Sequence, residues 1–376
     1  MKILICGAGI GGLSLASFCE KTGIEYKIIE KQKDFSHHGY SIGLWSNARN
    51  MLMKLGLQDK FDKNAIPFKK FKLCDGSGKE IYQYNFGEFF QKYGMGYFHV
   101  HRKDLVNWLA ESVRNEINFE TTISKMEDDG RGVNVMFSGN KTERFDLVVA
   151  CDGISSQIRN NFFGDDVRVY ENWRTWFMWI DSKYVENKSI VEYVEPGSLI
   201  VVFYEGGDSA LVTMTAKQGH KTWDDEVGRI ERLKKLFKNQ KTLVPNIFEG
   251  RDSSVVLPTN LSNIRLQKMY KGRIVLLGDA AHGFEPYAGM GASMAMEDAY
   301  VLVAELNKKE SLDIALAQYE KKRLTRVREA SKVTMRLKRI LITESVFLRS
   351  ILNMTIKFMP KSFFLNSYKK LLSQEI

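Results

Sequence analysis

Apolar, β-branched runs that end on glycines and acids alternate along this chain with stretches of helical period. The first run, Lys2-Ile3-Leu4-Ile5-Cys6, has the character of a buried parallel strand. It leads straight into Gly7-Ala8-Gly9-Ile10-Gly11-Gly12, after which residues 13–21 predict a helix that Thr22-Gly23 stops. Glu25-Tyr26-Lys27-Ile28-Ile29-Glu30 is a second strand ending on an acid, so the segment reads as a complete β-α-β unit. Two later runs have the same form. Residues 145–150 deliver Cys151-Asp152-Gly153 to a sheet edge, and residues 272–277 deliver Gly278-Asp279-Ala280-Ala281-His282. The turn Pro286-Tyr287-Ala288-Gly289-Met290-Gly291-Ala292 then opens a helix predicted over 293–306.

The first glycine cluster has the spacing GxGxxG at Gly7, Gly9 and Gly12, and each glycine has a physical task. Gly7 permits the tight turn, Gly9 lets a pyrophosphate approach the backbone, and Gly12 lets helix and strand pack closely. Glu30 follows Gly12 by 18 residues, where an acid can hydrogen-bond an adenosine ribose. Together these features predict dinucleotide binding. Asp279, at the carboxyl end of a strand, can accept hydrogen bonds from a polyol chain. The helix opened by the glycines after Pro286 turns free N–H groups and the positive end of its dipole towards an electron-rich ring edge, which suits an anionic reduced flavin. Asp152-Gly153 alone would read as a plain turn.

Composition narrows the picture. A chain of 376 residues, 44% hydrophobic and 27% charged, can bury a core and a large cofactor cleft in two or three units that interleave in sequence. The formal net charge of +10 favours anionic ligands without choosing among dinucleotide phosphates, acidic membranes and nucleic acid. Nucleic acid is the weakest of these, because the basic residues do not interleave with aromatics as a stacking platform requires. Cys6, Cys19, Cys74 and Cys151 are scattered, without a CxxC pair, and fit reduced thiols in a cytoplasmic protein. The apolar start is interrupted by glycines and reads as mature sequence rather than a signal peptide. No apolar run reaches the roughly 18 residues of a membrane span.

With these three motifs in order, the chain resembles the class A flavoprotein monooxygenases, the para-hydroxybenzoate hydroxylase-like family that includes urate hydroxylase-like and tetracycline-inactivating enzymes. The resemblance covers essentially the whole chain. It implies an α/β fold with a Rossmann-like FAD-binding domain assembled from 1–70, 99–168 and 264–310, a substrate domain on an antiparallel sheet from 71–98 and 169–263, and a C-terminal helical region from 311–376. Implied FAD contacts are Gly7, Gly9, Ile10, Gly12, Glu30, Lys31, Gly43 in the loop passing the flavin, Arg102 opening a helix, Ile123 near the adenine, Asp152, Gly153, Asp279, Pro286, Gly289, Gly291 and Ala292. Of these, Glu30 would hold the adenosine ribose and Asp279 the ribityl chain, while the Asp152-Gly153 turn would serve FAD and the incoming nicotinamide. Two positions depart from the family: Ser46 stands where Pro is common, and Met290 where Gln is frequent.

The implied activity is NAD(P)H-dependent insertion of one oxygen atom from O2 through a flavin C4a-hydroperoxide, hydroxylating or epoxidising a small to medium organic, aromatic or polycyclic substrate. With one dinucleotide fingerprint in the chain, FAD is expected to stay bound while NAD(P)H visits. A reductase or halogenase of the same fold and a redox-silent FAD-binding protein are the alternatives. Trp173-x-x-Trp176-x-x-Trp179 is not the Trp-x-Trp-x-Ile-Pro signature of flavin halogenases; on a strand Trp173 and Trp179 share one face and Trp176 the other, some of the three being expected in the core and one face lining a pocket for an aromatic or extended apolar substrate. Largely apolar residues 198–204 and the absence of evident Arg/Tyr pairs point to a bulky, weakly polar substrate.

Several residues carry the plainer expectation. His282 is expected to pack and hydrogen-bond rather than to act as a base, and the pairs His37-His38 and His99/His101 lack acid or cysteine partners at metal-ligand spacing, so no metal is expected. The basic stretch 320–339 reads as a solvated helix face, and residues 340–372 as a cap over the two domains, with a peripheral membrane contact as the less favoured reading.

Overall fold

In the computed structural model of the chain, the structure describes residues 1–35, 39–164, 167–219, 223–360, 368–369 and 371–372, and for 92 and 93 the backbone alone. His37 and His38 lie outside the described residues. A parallel sheet runs in the order Ile274–Leu276, Leu147–Ala150, Lys2–Cys6, Glu25–Ile29 and Ile117–Asn118, with Tyr270–Lys271 pairing antiparallel at one edge. Its central strands are buried on both sides, which is why they read as unbroken apolar runs rather than as alternations. Helix Ile10–Thr22 and helix Gly291–Leu306 pack against each other over this sheet.

The second large sheet has seven strands in the order Leu257–Ile264, Arg168–Asp181, Ser209–Lys217, Ser198–Tyr204, Ser189–Glu195, Lys70–Asp75 and Glu80–Asn85. All neighbours are antiparallel except Ser189–Glu195 with Lys70–Asp75. Alternation divides its residues cleanly. Ile200, Val202, Val212, Met214 and Trp176 face a layer of short helices, whereas Leu199, Val201, Phe203, Leu211 and Thr213 face a cavity. Residues 199–203 are apolar throughout because both faces of the strand are covered. Ser41–Trp45, Tyr97–His101 and Ile66–Pro67 form a small antiparallel sheet between the two large ones.

Helix Leu312–Leu341 corrects the reading of 320–339 as a solvated face. Arg323 and Arg326 are 1% and 7% exposed and turn inward. Arg323 donates to Glu297 at 2.8 Å and to Asp298 at 2.6 Å, and Arg326 donates to both oxygens of Glu297 at 2.5 and 2.6 Å. The acids sit on the neighbouring helix, Gly291–Leu306, where a scan of the basic stretch alone cannot find them. Lys338 is similarly tied to Glu171 and Glu285. Past this helix, Ile342, Ile356, Tyr368, Leu371 and Leu372 are buried in the cluster that holds Trp45, and Tyr368 stacks on Trp45 with ring centroids 4.3 Å apart. Phe363, Phe364 and Leu365, apolar in sequence, lie outside the described residues.

Candidate active site

The motifs converge because four adjacent parallel strands end at one edge. Ile274–Leu276 delivers Gly278-Asp279, Leu147–Ala150 delivers Asp152-Gly153, Lys2–Cys6 delivers the Gly7 loop, and Glu25–Ile29 delivers Glu30. Ligands of open α/β sheets bind outside such carboxyl ends. Gly7 has φ +108°, and a Cβ there would come within 2.5 Å of the Cys151 carbonyl oxygen. A Cβ on Gly12 would collide with the Gly7 carbonyl, so both positions require glycine for reasons internal to the fold. Gly9 differs, since a Cβ there meets nothing within 4 Å. Its backbone opens on the space where a diphosphate would lie.

That space belongs to a cavity of about 440 Å³ reaching from the glycine loop to the inner face of the seven-stranded sheet. Of the residues singled out from sequence, Gly9, Ile10, Gly43, Arg102, Gly153, Asp279, Pro286, Gly289, Gly291 and Ala292 line it. Gly7 and Gly12 shape the loop from behind. The others stand apart from the lining. Glu30 accepts hydrogen bonds from the N–H groups of Ala8 at 2.8 Å and Gln32 at 2.9 Å, fixing the glycine loop. Lys31 is exposed, and Ile123 is half-buried at the start of strand Ile123–Asp128. Asp152 accepts from the Gln157 N–H at 3.1 Å, while its Oδ1 is buried with no partner among the described residues. Burial raises the Asp152 carboxyl above its ordinary range.

These residues fit an FAD molecule. Asp279 and Arg102 are exposed to the cavity, and among the described residues neither side chain hydrogen-bonds to another protein group. Burial lowers the Arg102 pKa and the Asp279 charge opposes that shift. An anion-tolerant loop and a carboxylate open to hydroxyl groups are what a dinucleotide with a polyol chain requires.

The far half of the cavity is lined by Phe71, Ile190, Leu199, Val201, Phe203 and Leu211, with Glu192 set among them. Burial pushes the Glu192 carboxyl up to about 8. Arg102 is the only arginine or lysine lining the cavity among the described residues. Tyr368 closes one side, and the Tyr287 hydroxyl is buried without a partner among the described residues.

The face of Arg168–Asp181 carrying Trp173 and Trp179 does turn towards the cavity, but its lining residues are Thr175 and Phe177. Trp173 is absorbed in the core cluster, and Trp179 stacks on Tyr40 and His101. His282 binds Asp298 at 2.6 Å, lies outside the cavity lining and stacks near Phe284.

Sequence reading missed the acid partner of His99. Glu205, on the turn after strand Ser198–Tyr204, binds His99 Nδ1 at 2.6 Å, and both side chains are buried. Ser41 donates to the other Glu205 oxygen at 2.5 Å. The two partners lie 106 residues apart, on different sheets, and no local spacing could have joined them.

Comparison with known proteins agrees with this geometry. The model of the family described as FAD binding domain matches residues 1–334. The chain belongs to that family and is an FAD-dependent oxidoreductase among the class A flavin monooxygenases. It is 27% identical over 343 residues to the FAD-dependent urate hydroxylase of Klebsiella pneumoniae, covering 88% of this chain and 87% of that one. It is 28% identical over 334 residues to the aurachin C monooxygenase/isomerase of Stigmatella aurantiaca, covering 88% and 86%. The structure of Klebsiella pneumoniae HpxO complexed with FAD and uric acid superposes with a TM-score of 0.91 at 23% identity, covering 99% of this chain and 97% of that chain.

Proposed function

We propose that this protein is an NAD(P)H-dependent monooxygenase that inserts one oxygen atom from O2 into a bulky, weakly polar aromatic substrate. The observation that carries the reading is a single cavity joining the glycine loop to an apolar chamber. A redox-silent FAD-binding protein has no use for such a chamber beside its cofactor.

In this reading the Gly7–Gly12 loop holds the FAD diphosphate, Glu30 faces the adenosine ribose, and Asp279 and Arg102 meet the ribityl chain and its surroundings. Lys31, Ile123 and Asp152-Gly153 complete the adenosine side and the approach of the nicotinamide. Gly43, Pro286, Gly289, Gly291 and Ala292 surround the ring system largely through backbone. Bound FAD supplies two-electron chemistry with the nicotinamide and with O2, and the protein supplies orientation and shielding. Phe71, Phe203, Leu211 and Tyr368 keep water from the reacting end of the chamber. Among the described residues the cavity is lined by no lysine and one arginine, so the apolar half favours an uncharged substrate over a carboxylate.

The test is aerobic NADPH or NADH consumption by the FAD-loaded protein. Slow oxidation with release of hydrogen peroxide is expected without substrate, accelerated when a polycyclic or aromatic ligand enters the chamber. Failure of the flavin to accept electrons from either nicotinamide would overturn the reading.

A further inference from the structure

We propose that the outer face of helix Val346–Lys357 docks on a bilayer surface rich in acidic phospholipid, its apolar side chains entering the acyl boundary while basic side chains of this helix and the one before it meet the headgroups. The inference concerns where the molecule sits and is independent of the reaction proposed above.

The two sides of this helix have different fates. Arg349 and Ile356 are buried, and the Arg349 guanidinium donates to the Ile340 and Leu341 carbonyls at 2.7 and 2.8 Å, which fastens the helix to the end of Leu312–Leu341. At about 100° per residue, the direction opposite that pair is occupied by Phe347, Ile351 and Met354, and by Phe358 at the helix end. These four are between 38% and 78% exposed. Val346 and Leu348 add exposed apolar surface at the first turn. Single exposed hydrophobes are ordinary, but a helix pinned by its inner face is expected to be polar outside, and a continuous apolar stripe there marks a contact surface. No Asp or Glu occurs from residue 345 to residue 374.

Charge selects the occupant. Residues 320–376 hold fourteen lysines and arginines against four glutamates, a surplus equal to the chain's whole formal net charge of +10, so residues 1–319 are neutral in sum. Part of that surplus is neutralised inside the fold, at Arg323, Arg326 and Lys338. Of the rest, Arg328, Lys332, Arg336 and Arg339 follow one another at helical spacing along the exposed side of Leu312–Leu341, and Lys357 stands one turn from Met354 beside the apolar stripe. Lys332 pairs with Glu329 at 3.4 Å, whereas the other four have no acid partner among the described residues. A second copy is a poor occupant, because like faces would bring two positive surpluses together. A single convex helix also offers a partner protein no groove. An acidic bilayer suits both halves of the surface, since it takes apolar side chains at the acyl boundary and attracts Lys and Arg to its headgroups. With 12 residues the helix is about 18 Å long, which suits lying in the interface rather than crossing about 30 Å of hydrocarbon.

The experiment is co-sedimentation of the whole FAD-loaded chain with vesicles of phosphatidylcholine, alone or with about 30% phosphatidylserine. Wild-type protein is expected to bind the acidic vesicles about tenfold more tightly than the neutral ones, and to lose about tenfold between about 0.05 and about 0.5 M salt. The triple variant Phe347→Gln/Met354→Gln/Phe358→Gln and the pair Arg336→Glu/Arg339→Glu should each weaken binding to acidic vesicles by about tenfold. FAD content and melting temperature should stay unchanged in both, because all five side chains are exposed. A polarity-sensitive dye on Phe347→Cys should shift to the blue on acidic vesicles and report water without them. Wild-type protein left in the supernatant, equal binding to neutral vesicles, or full binding by the triple variant would each overturn the proposal. A wild-type dimer that the triple variant turns into a monomer, without vesicle binding, would overturn it in favour of a second copy. A dye already shielded in vesicle-free monomer would overturn it in favour of a segment of this chain.

Discussion

At the scale of single residues, Glu192 and Asp279 show two uses of a carboxyl group facing one cavity. Glu192 lies among apolar side chains, and burial raises its pKa to about 8 in the folded protein. A raised folded-state pKa stabilises the fold fully below the unfolded value, and that stability is lost as pH rises through the folded one. Glu192→Gln should leave the melting temperature at pH 4 nearly unchanged relative to wild type and raise it at pH 9, where wild type must bury a charge. Equal pH dependence in the two proteins would place the group in water. Asp279, exposed to the cavity with no partner among the described residues, is expected to act on the ligand rather than on the fold. Asp279→Ala and Gly9→Val should each lower FAD retained through gel filtration by about tenfold, the effect of about 1.4 kcal/mol of lost binding, with thermal unfolding of the apoprotein little changed. Full flavin occupancy in both variants would contradict the placement. What sequence showed at this scale was whatever local spacing records: the Gly7, Gly9 and Gly12 turn, and the acids ending strands. The His99–Glu205 pair and the inward turn of Thr175 and Phe177 depend on sheet pairing across the fold, which leaves no local mark.

At the scale of elements, the two helices Gly291–Leu306 and Leu312–Leu341 are joined by charges rather than by an apolar seam alone. Burial alone would raise the Glu297 and Asp298 carboxyls, but for Glu297 the nearby Arg323 and Arg326, and for Asp298 His282 and Arg323, outweigh it and lower both. The stability these acids contribute is present above their unfolded pKa values and is lost as pH falls through the depressed ones. Arg323→Ala leaves two buried carboxylates short of a partner and should destabilise the fold by about 3–5 kcal/mol. Chemical denaturation would show it, and a loss under about 1 kcal/mol would mean that water reaches the cluster, as at an exposed pair. The first β-α-β unit was legible in sequence, its strands Lys2–Cys6 and Glu25–Ile29 to within a residue and its helix three residues late, since Ile10–Thr22 begins inside the glycine cluster. Helix Leu312–Leu341 was legible as a helix, but its charged face misled because surface and buried arginines look alike until the partner helix is placed.

At the scale of the whole molecule, the C-terminal residues complete the chamber. Tyr368 lines the cavity, Leu371 accepts a hydrogen bond from Arg326 through its carbonyl at 2.6 Å, and Ile342 and Ile356 are buried with them. Truncation after Arg339 should therefore expose Trp45 and its neighbours, lower the melting temperature and increase binding of a hydrophobic dye. A truncated protein that is more soluble than the full chain would contradict this. On helix Val346–Lys357 the opposite face carries Phe347, 76% exposed, and Met354, 62% exposed, so the segment is apolar on both sides. No helix of the described residues is long and apolar enough to cross a membrane.

The central claim is that the cavity unites FAD, O2 and an organic substrate so that one oxygen atom is inserted. Turnover under labelled O2, with substrate and NAD(P)H, followed by mass spectrometry of the product, tests it most directly. One labelled oxygen atom per product is predicted, the other appearing in water. Product that carries oxygen from labelled water instead, or turnover that continues without O2, would contradict it.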